Sequence, residues 1–132
     1  MIYELNIKTD SREQFKDITS EIENIIEKNK VKDGICFVFV SHTTAGITIN
    51  ENADPSVRKD IINKLDKLVP RDSNYSHSEG NSDAHIKASL MGFSESILID
   101  EGRLVLGTWQ GIFFCEFDGP RQRKIRVKVL PQ

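Results

Sequence analysis

The spacing of apolar residues changes several times along the chain, and each change predicts a new element. In residues 3–7 apolar and polar side chains alternate, the period of a strand with one buried face. From Phe15 the apolar positions follow helical spacing. Ser11 and Gln14 match a capping box, so we predict a helix that begins near Ser11. Its other apolar positions are Ile18, Ile22, Ile25 and Ile26.

Two strands and a second helix are predicted next. Residues 35–40 are an unbroken apolar run, typical of a strand buried on both faces, and residues 46–50 resume as a strand after the polar break at 41–44. Asp54 and Pro55 supply an N-cap and a first-turn proline for a helix that ends before Pro70.

The second half begins with a long polar stretch, residues 71–81, which we interpret as a functional loop. A helix over about 82–91, ended by Gly92, follows it. The remaining apolar runs, at 97–99, 104–106, 112–117 and 125–130, predict strands joined by hairpins. We therefore expect one α+β domain spanning residues 1–132.

Composition narrows the classes of function. A net charge of -2 is unlike the strong basic excess of a nucleic-acid binder, so we expect no nucleic-acid partner. Because the apolar runs are too short to span a bilayer and the N-terminus has no signal-peptide pattern, we expect no membrane partner and a cytoplasmic protein. Cys36 and Cys115 lie in apolar runs, which predicts reduced core thiols.

All three histidines lie in polar segments rich in turn-forming residues. His42 is in SHTTAG, while His77 and His85 are in HSEGNSDAH. The nearby carboxylates are Glu51, Glu79 and Asp83. A lone histidine is most often structural, but histidines grouped with carboxylates provide both acid–base groups and metal ligands. We therefore expect a functional site.

Residues 79–85 place a glycine turn directly before a helix, where free backbone N–H groups can bind phosphate. Asn81 and Ser82 are the residues at the helix start, and Lys87, Arg121 and Arg123 would strengthen phosphate binding if they converge there. The alternative is that Asn81 or Ser82 only caps the helix.

His77, Glu79 and Asp83 could instead hold a divalent metal ion, Mg²⁺ or Zn²⁺, although no HExxH motif is present. The glycines around Trp109 suggest a bulge or a close approach to a ligand, with Trp109 itself in packing or an interface. No Gly-x-Ser-x-Gly motif supports a serine hydrolase.

At these residues the sequence resembles the YjbQ-like family, through SHTTAGITINEN, HSEGNSDAHIKASLMG and GRLVLGTWQGIFFCEFDGPRQR. The resemblance implies a mostly antiparallel sheet sandwich with helices packed on it, a homotrimer, and a polar pocket near the subunit boundary. It also implies a weak or secondary thiamine-phosphate synthase activity, which joins hydroxymethylpyrimidine diphosphate to thiazole phosphate and releases pyrophosphate. Leu98 stands where the family has a proline.

If synthase chemistry holds, the matched residues divide into three roles. The expected catalytic residues are His42, His85 and Glu51. The expected phosphate ligands are Asn81, Ser82, Lys87 and Arg121, and the expected metal ligands are His77, Glu79 and Asp83. Two alternatives stay open: metal-assisted hydrolysis of a small metabolite, and a non-catalytic trimeric module that binds a phosphorylated metabolite. The apolar run 112–117 is the expected source of trimer contacts.

Overall fold

A computed structural model describes all residues, 1–132. Two antiparallel sheets and three helices form the chain. The strands are β1 (Tyr3–Lys8), β2 (Gln14–Asp17), β3 (Gly34–Val40), β4 (Ala45–Glu51), β5 (Ser94–Asp100), β6 (Arg103–Leu104), β7 (Gln110–Glu116) and β8 (Gln122–Pro131). The helices are α1 (Thr19–Lys28), α2 (Pro55–Leu68) and α3 (Ser82–Met91). No helix combines the length and apolar character needed to cross a bilayer.

The five-stranded sheet has the order β1-β8-β3-β5-β6, and the three-stranded sheet has the order β2-β7-β4. The main core lies between the two sheets and α1, whereas α2 and α3 cover the other face of the smaller sheet. Strand β7 is therefore buried on both faces: Ile112 and Phe114 point into the main core, and Phe113 and Cys115 point towards the helices. The predicted α+β sandwich is confirmed.

The best-signalled helix begins as predicted. Asp54 accepts a hydrogen bond from the Ser56 N–H at 2.9 Å, and Pro55 occupies the first turn of α2. Helix α3 also has its predicted bounds and ends at Gly92. It can pack closely on β4 because Gly46 has no side chain; a Cβ there would lie 2.7 Å from the Gly92 carbonyl oxygen.

The predicted capping box of the first helix is wrong. Residues 14–17 form β2, in which Phe15 pairs with Cys115, and the helix begins only at Thr19. The Gln14 amide oxygen accepts a hydrogen bond from the Asp10 N–H instead, at 2.9 Å. Burial of Phe15 beside β7 outweighs the local capping signal.

The strand predicted to be buried on both faces is not β3. Phe37 and Phe39 of that strand are 39% and 46% exposed, while Cys36 and Val38 are fully buried on the other face. The continuous buried run is residues 112–117 instead, in β7 and directly after it, and all six are 0% exposed. The expectation that this run supplies trimer contacts is corrected accordingly, because α2 and α3 already cover it.

Candidate functional site

His77 lies on the polar connection between α2 and α3, and His85 lies in α3 directly after it. Tyr75 fixes the first part of the connection, since the phenol OH bonds to the Pro70 carbonyl oxygen at 2.5 Å. Gly80 has a φ of 80°, a left-handed conformation that glycine adopts without strain, and turns the chain into Asn81 at the start of α3. The connection thereby brings His77 back to the first turns of α3.

His77 and His85 lie against each other. Their ring centroids are 5.6 Å apart and their planes meet at 88°. The His77 Nε2 lies 3.5 Å from a Glu79 carboxylate oxygen. A cavity of about 400 Å³ opens beside the two rings, and we call it the histidine cleft. It is lined by Tyr75, Ser76, His77, Ser82, His85 and Ile86.

The start of α3 is joined to a second polar segment, residues 118–121, which we call the 118–121 turn. Asn81 makes no side-chain hydrogen bond to its own helix, and its Nδ2 donates to Asp118 Oδ2 at 2.9 Å. The same carboxylate oxygen accepts from Arg121 Nη2 at 3.2 Å. The buried Asn81 Oδ1 has no hydrogen-bond partner. The Asn81 side chain therefore does not cap α3, and Asp118 holds Arg121 near the start of this helix.

His42 occupies a different position, on the loop between β3 and β4. Its Nε2 accepts a hydrogen bond from the Lys124 N–H at 3.0 Å. Burial lowers the pKa of His42, and the positive charges of Arg123 and Arg121 lower it further. The structure therefore brings together His77 and His85, whereas His42 lies on a separate loop that contacts β8 through Lys124.

A buried ion pair positions both the His42 loop and the 118–121 turn. Arg123 Nε donates to Glu116 Oε1 at 2.8 Å, and Arg123 Nη2 donates to Glu116 Oε2 and to Thr44 Oγ1. The N–H of Asp118 also donates to Glu116 Oε2, at 3.1 Å. Burial opposes ionisation of Glu116, but the bonds from Arg123 and the backbone outweigh it and hold its pKa below the ordinary value. Arg123 is thus a structural residue, and the expectation that it joins a phosphate site at the start of α3 is wrong, because its guanidinium is buried against Glu116.

A second group of charges lies between β2, α2 and α3, and we call it the buried lysine cluster. Lys87 is 1% exposed, and its Nζ lies 2.6 Å from Asp66, 3.0 Å from Asp83 and 3.3 Å from Glu13. Arg12 donates to both carboxylate oxygens of Asp83, at 3.1 and 3.3 Å. Arg12, Glu13, Asp66, Asp83 and Lys87 form this cluster.

This cluster corrects two expectations. Lys87 does not reach a phosphate at the start of α3, because three carboxylates already surround its ammonium group. Asp83 does not face a metal, because its carboxylate is fully buried against Arg12 and Lys87. Burial opposes its ionisation, yet hydrogen bonds from Arg12 and Lys87 hold the pKa of Asp83 below its usual value.

Glu51 also lies away from the histidines. It ends β4, whereas the His42 loop precedes Ala45 at the other end. Seven residues of strand separate the two ends by about 20 Å. Within one chain, Glu51 therefore does not share a site with His42. It pairs across the sheet with Gln110. The neighbouring Trp109 is 62% exposed, so it is not the core packing residue that was one of its two expected roles.

The expected divalent metal ion does not fit the residues that one chain brings together. No group of three or more His, Cys, Asp or Glu side chains is arranged to hold an ion. Of the expected ligands, His77 and Glu79 are neighbours, but Asp83 is turned into the buried lysine cluster. Two donors leave a structural or catalytic ion short of protein ligands.

Comparison with known proteins places this geometry in a family. The model of the family described as UPF0047 protein YjbQ-like matches residues 3–132. The chain belongs to the YjbQ-like family. A UPF0047 protein of Methanocaldococcus jannaschii is 59% identical over 130 residues, covering 98% of this chain and 94% of that protein. The UPF0047 protein YugU of Bacillus subtilis is 47% identical, covering 98% and 99%.

Solved structures of YjbQ-like proteins agree with this fold. A crystal structure from Clostridium acetobutylicum superposes with a TM-score of 0.95 at 56% identity, covering 97% of this chain and 99% of that one. A YjbQ-like protein from Sulfolobus solfataricus gives a TM-score of 0.95 at 36% identity, covering 100% and 97%. These likenesses establish the family and the fold, and they carry no information about a reaction.

The sequence did not point to several residues that shape this YjbQ-like site. Glu116 lies in an apolar strand and Arg12 in a segment predicted to be helical, so neither stood out. The only available signal was the charge itself: Glu116 interrupts the apolar run 112–117, and a charge in such a run is expected to have a buried partner.

Proposed function

We propose that this YjbQ-like protein binds the phosphate group of a small metabolite at the histidine cleft, next to the 118–121 turn. The observation that supports this most is the pairing of His77 and His85 at the start of a helix whose N-cap side chain is engaged elsewhere. Imidazole N–H groups and free backbone N–H groups are both donors to phosphate oxygens. Ser82 adds a hydroxyl in the same cleft.

The charge distribution around α3 favours an anion at this position. An aspartate in the first turn would normally repel a phosphate, but the Asp83 carboxylate is neutralised by Arg12 and Lys87. Arg121 is 50% exposed on its side chain and shares Asp118 with Asn81. It is therefore close enough to the helix start to add positive charge when a ligand is bound.

Thiamine-phosphate synthase activity is the reaction to test at this site, and family resemblance supports it. In that reaction the bond between the pyrimidine methylene carbon and the diphosphate oxygen breaks. The thiazole nitrogen forms the new bond to that carbon, and pyrophosphate leaves with the electron pair. We assign His85 and Arg121 to binding the leaving diphosphate, which carries the developing negative charge. We assign no step to a metal ion.

Two measurements separate binding from catalysis. Calorimetric titration with pyrophosphate should show saturable binding that weakens in His85→Ala and Arg121→Ala. A synthase assay with both substrates and Mg²⁺ should show turnover, lowered by roughly 10² to 10³ in His85→Ala if His85 stabilises the leaving diphosphate. Binding without turnover would contradict the transferase hypothesis and support the hypothesis of a non-catalytic binding module. Absence of both would remove the whole proposal.

We also propose that the protein assembles as a homotrimer, as the resemblance implies. The outer face of the larger sheet supports self-association. Ile35 pairs with Leu98 on one side and Leu130 on the other, so three apolar side chains lie side by side across β5, β3 and β8. Leu98 and Leu130 are 61% and 46% exposed, and apolar patches of this kind commonly mark interfaces.

A further inference from the structure

A second pocket, which we call the Arg58 pocket, lies between α2 and β2. Its volume is about 340 Å³, and it shares no lining residue with the histidine cleft. Phe15 and Ile62 supply its apolar surface, while Arg58, Lys59 and Asn63 supply polar groups from α2. The pocket therefore combines basic and apolar groups in one small volume.

Arg58 differs from the arginines that serve the fold. Arg12, Arg121, Arg123 and Arg126 each have a carboxylate partner. The Arg58 guanidinium instead stacks on the buried Phe113 ring, with its central carbon 5.1 Å from the ring centroid. This contact with the ring face restrains the guanidinium and uses none of its five N–H donors. The only buried side-chain atom without a hydrogen-bond partner is the Asn81 Oδ1, so the unpaired N–H groups of Arg58 are accessible to solvent.

This arrangement suits an anion with an apolar body. A guanidinium restrained on a ring face and free of a carboxylate partner can bind carboxylate or phosphate oxygens in a bidentate manner. Lys59, the next residue on the helix, adds a second positive charge to the pocket. We propose that the Arg58 pocket binds a small organic anion, whose charged group lies against Arg58 and Lys59 and whose apolar part covers Phe15 and Ile62.

Glu13 couples this pocket to the buried lysine cluster. It lines the pocket and also faces Lys87 and Asp66, with Arg12 beside it. Two cations and three carboxylates leave this cluster with one excess negative charge when every group is ionised. Burial and a hydrogen bond with Asp66 raise the pKa of Glu13 to about 7. A bound anion would favour protonated Glu13, so anion binding should strengthen as the pH falls through neutrality.

Titration of the full chain with two probes tests the site. Benzoate and phenyl phosphate share an apolar ring and differ in the anionic group, so binding of one probe, or of both, supports the proposal and identifies the group that the pocket accepts. Arg58→Met keeps an unbranched stem over Phe113 and removes the charge, and should weaken binding about tenfold, as should Lys59→Met. Lys67→Met, on an exposed turn of the same helix, is the charge-matched control and should leave the affinity unchanged.

The pH dependence and the location of binding provide two further readouts. Benzoate keeps its charge between pH 6 and 8, and it should bind about three- to tenfold more tightly at pH 6; Glu13→Gln should remove that difference. In wild type, NMR shifts caused by the probe should centre on Arg58 and Lys59 and persist in His85→Ala, which separates this site from the histidine cleft. Failure of both probes to bind at millimolar concentration, or shifts centred elsewhere, would overturn the proposal even if a variant failed to fold.

Discussion

His77 and His85, eight positions apart in sequence, face each other edge to face at a centroid distance of 5.6 Å. The chain between them contains the left-handed Gly80 and the start of α3, so the pair forms because the loop returns to the helix it precedes. Two imidazoles at an uncapped helix start make the histidine cleft the best-supported position for an anion.

Removing one imidazole should weaken anion binding without unfolding the chain. His85→Ala is expected to lower the affinity for pyrophosphate about tenfold or more, since a hydrogen bond to a charged group contributes roughly 1.5–3 kcal/mol. Leu90→Ala is the control, because Leu90 is 59% exposed on the same helix and does not line the cleft. Calorimetry measures both. Equal affinities for the two variants would argue against a role for His85.

The buried ion pair behind the 118–121 turn should contribute far more to stability than an exposed pair on the same strand. Arg123→Ala leaves Glu116 buried without its cation and is expected to cost about 3–5 kcal/mol. Arg126→Ala removes a partner 3.4 Å from the exposed Glu4 and should cost less than about 1 kcal/mol. Urea denaturation of both variants gives the comparison. Similar losses would show that the Glu116–Arg123 pair is not the structural support inferred here.

The buried lysine cluster should make stability depend on pH near neutrality. Because the pKa of Glu13 is raised to about 7, the folded state holds a proton that the unfolded chain releases near pH 4.5. The contribution of Glu13 is therefore greatest at low pH and is lost as the pH rises through about 7. His42 has a lowered pKa and acts in the opposite direction, so the comparison must be made against a variant.

Thermal melts of wild type and Glu13→Gln between pH 5 and 8 isolate this effect. The difference in Tm should shift in favour of Glu13→Gln as the pH rises, because glutamine cannot ionise. A difference that stays constant across this range would show that Glu13 does not titrate in the folded state.

Several elements could be predicted from sequence because their signals are local. Asp54 and Pro55 mark the start of α2, and Gly92 marks the end of α3. The four residues of β2 could not, because Phe15 and Ile18 also fit helical spacing and only pairing with β7 decides between the two. Site residues followed the same rule: His77 and His85 are close in sequence, and both line the cleft.

Lys87 shows why the rest of the site was not predictable. Its partners Glu13 and Asp66 lie 74 and 21 positions away in sequence. Glu13 directly precedes β2, and Asp66 is in α2. Nothing local distinguishes a lysine that awaits a phosphate from one surrounded by carboxylates of distant elements. Glu51 is near His42 in sequence, but the length of β4 keeps the two side chains apart.

Oligomeric state can be tested by light scattering. A homotrimer has three times the 15.0 kDa mass of one chain. Leu98→Lys should shift the protein towards the monomer, because it places a charge on the exposed apolar face beside Ile35. A monomer mass for wild type at micromolar concentration would contradict the trimer, and a trimer unaffected by Leu98→Lys would move the interface to another face.

A crystal structure of the protein soaked with pyrophosphate would show whether the histidine cleft binds an anion. We expect an anion within hydrogen-bond distance of His77, His85 and the backbone N–H of Ser82, with Arg121 turned towards it. Pyrophosphate bound only at other surfaces, with the histidine cleft containing solvent at a saturating concentration of the anion, would contradict this expectation.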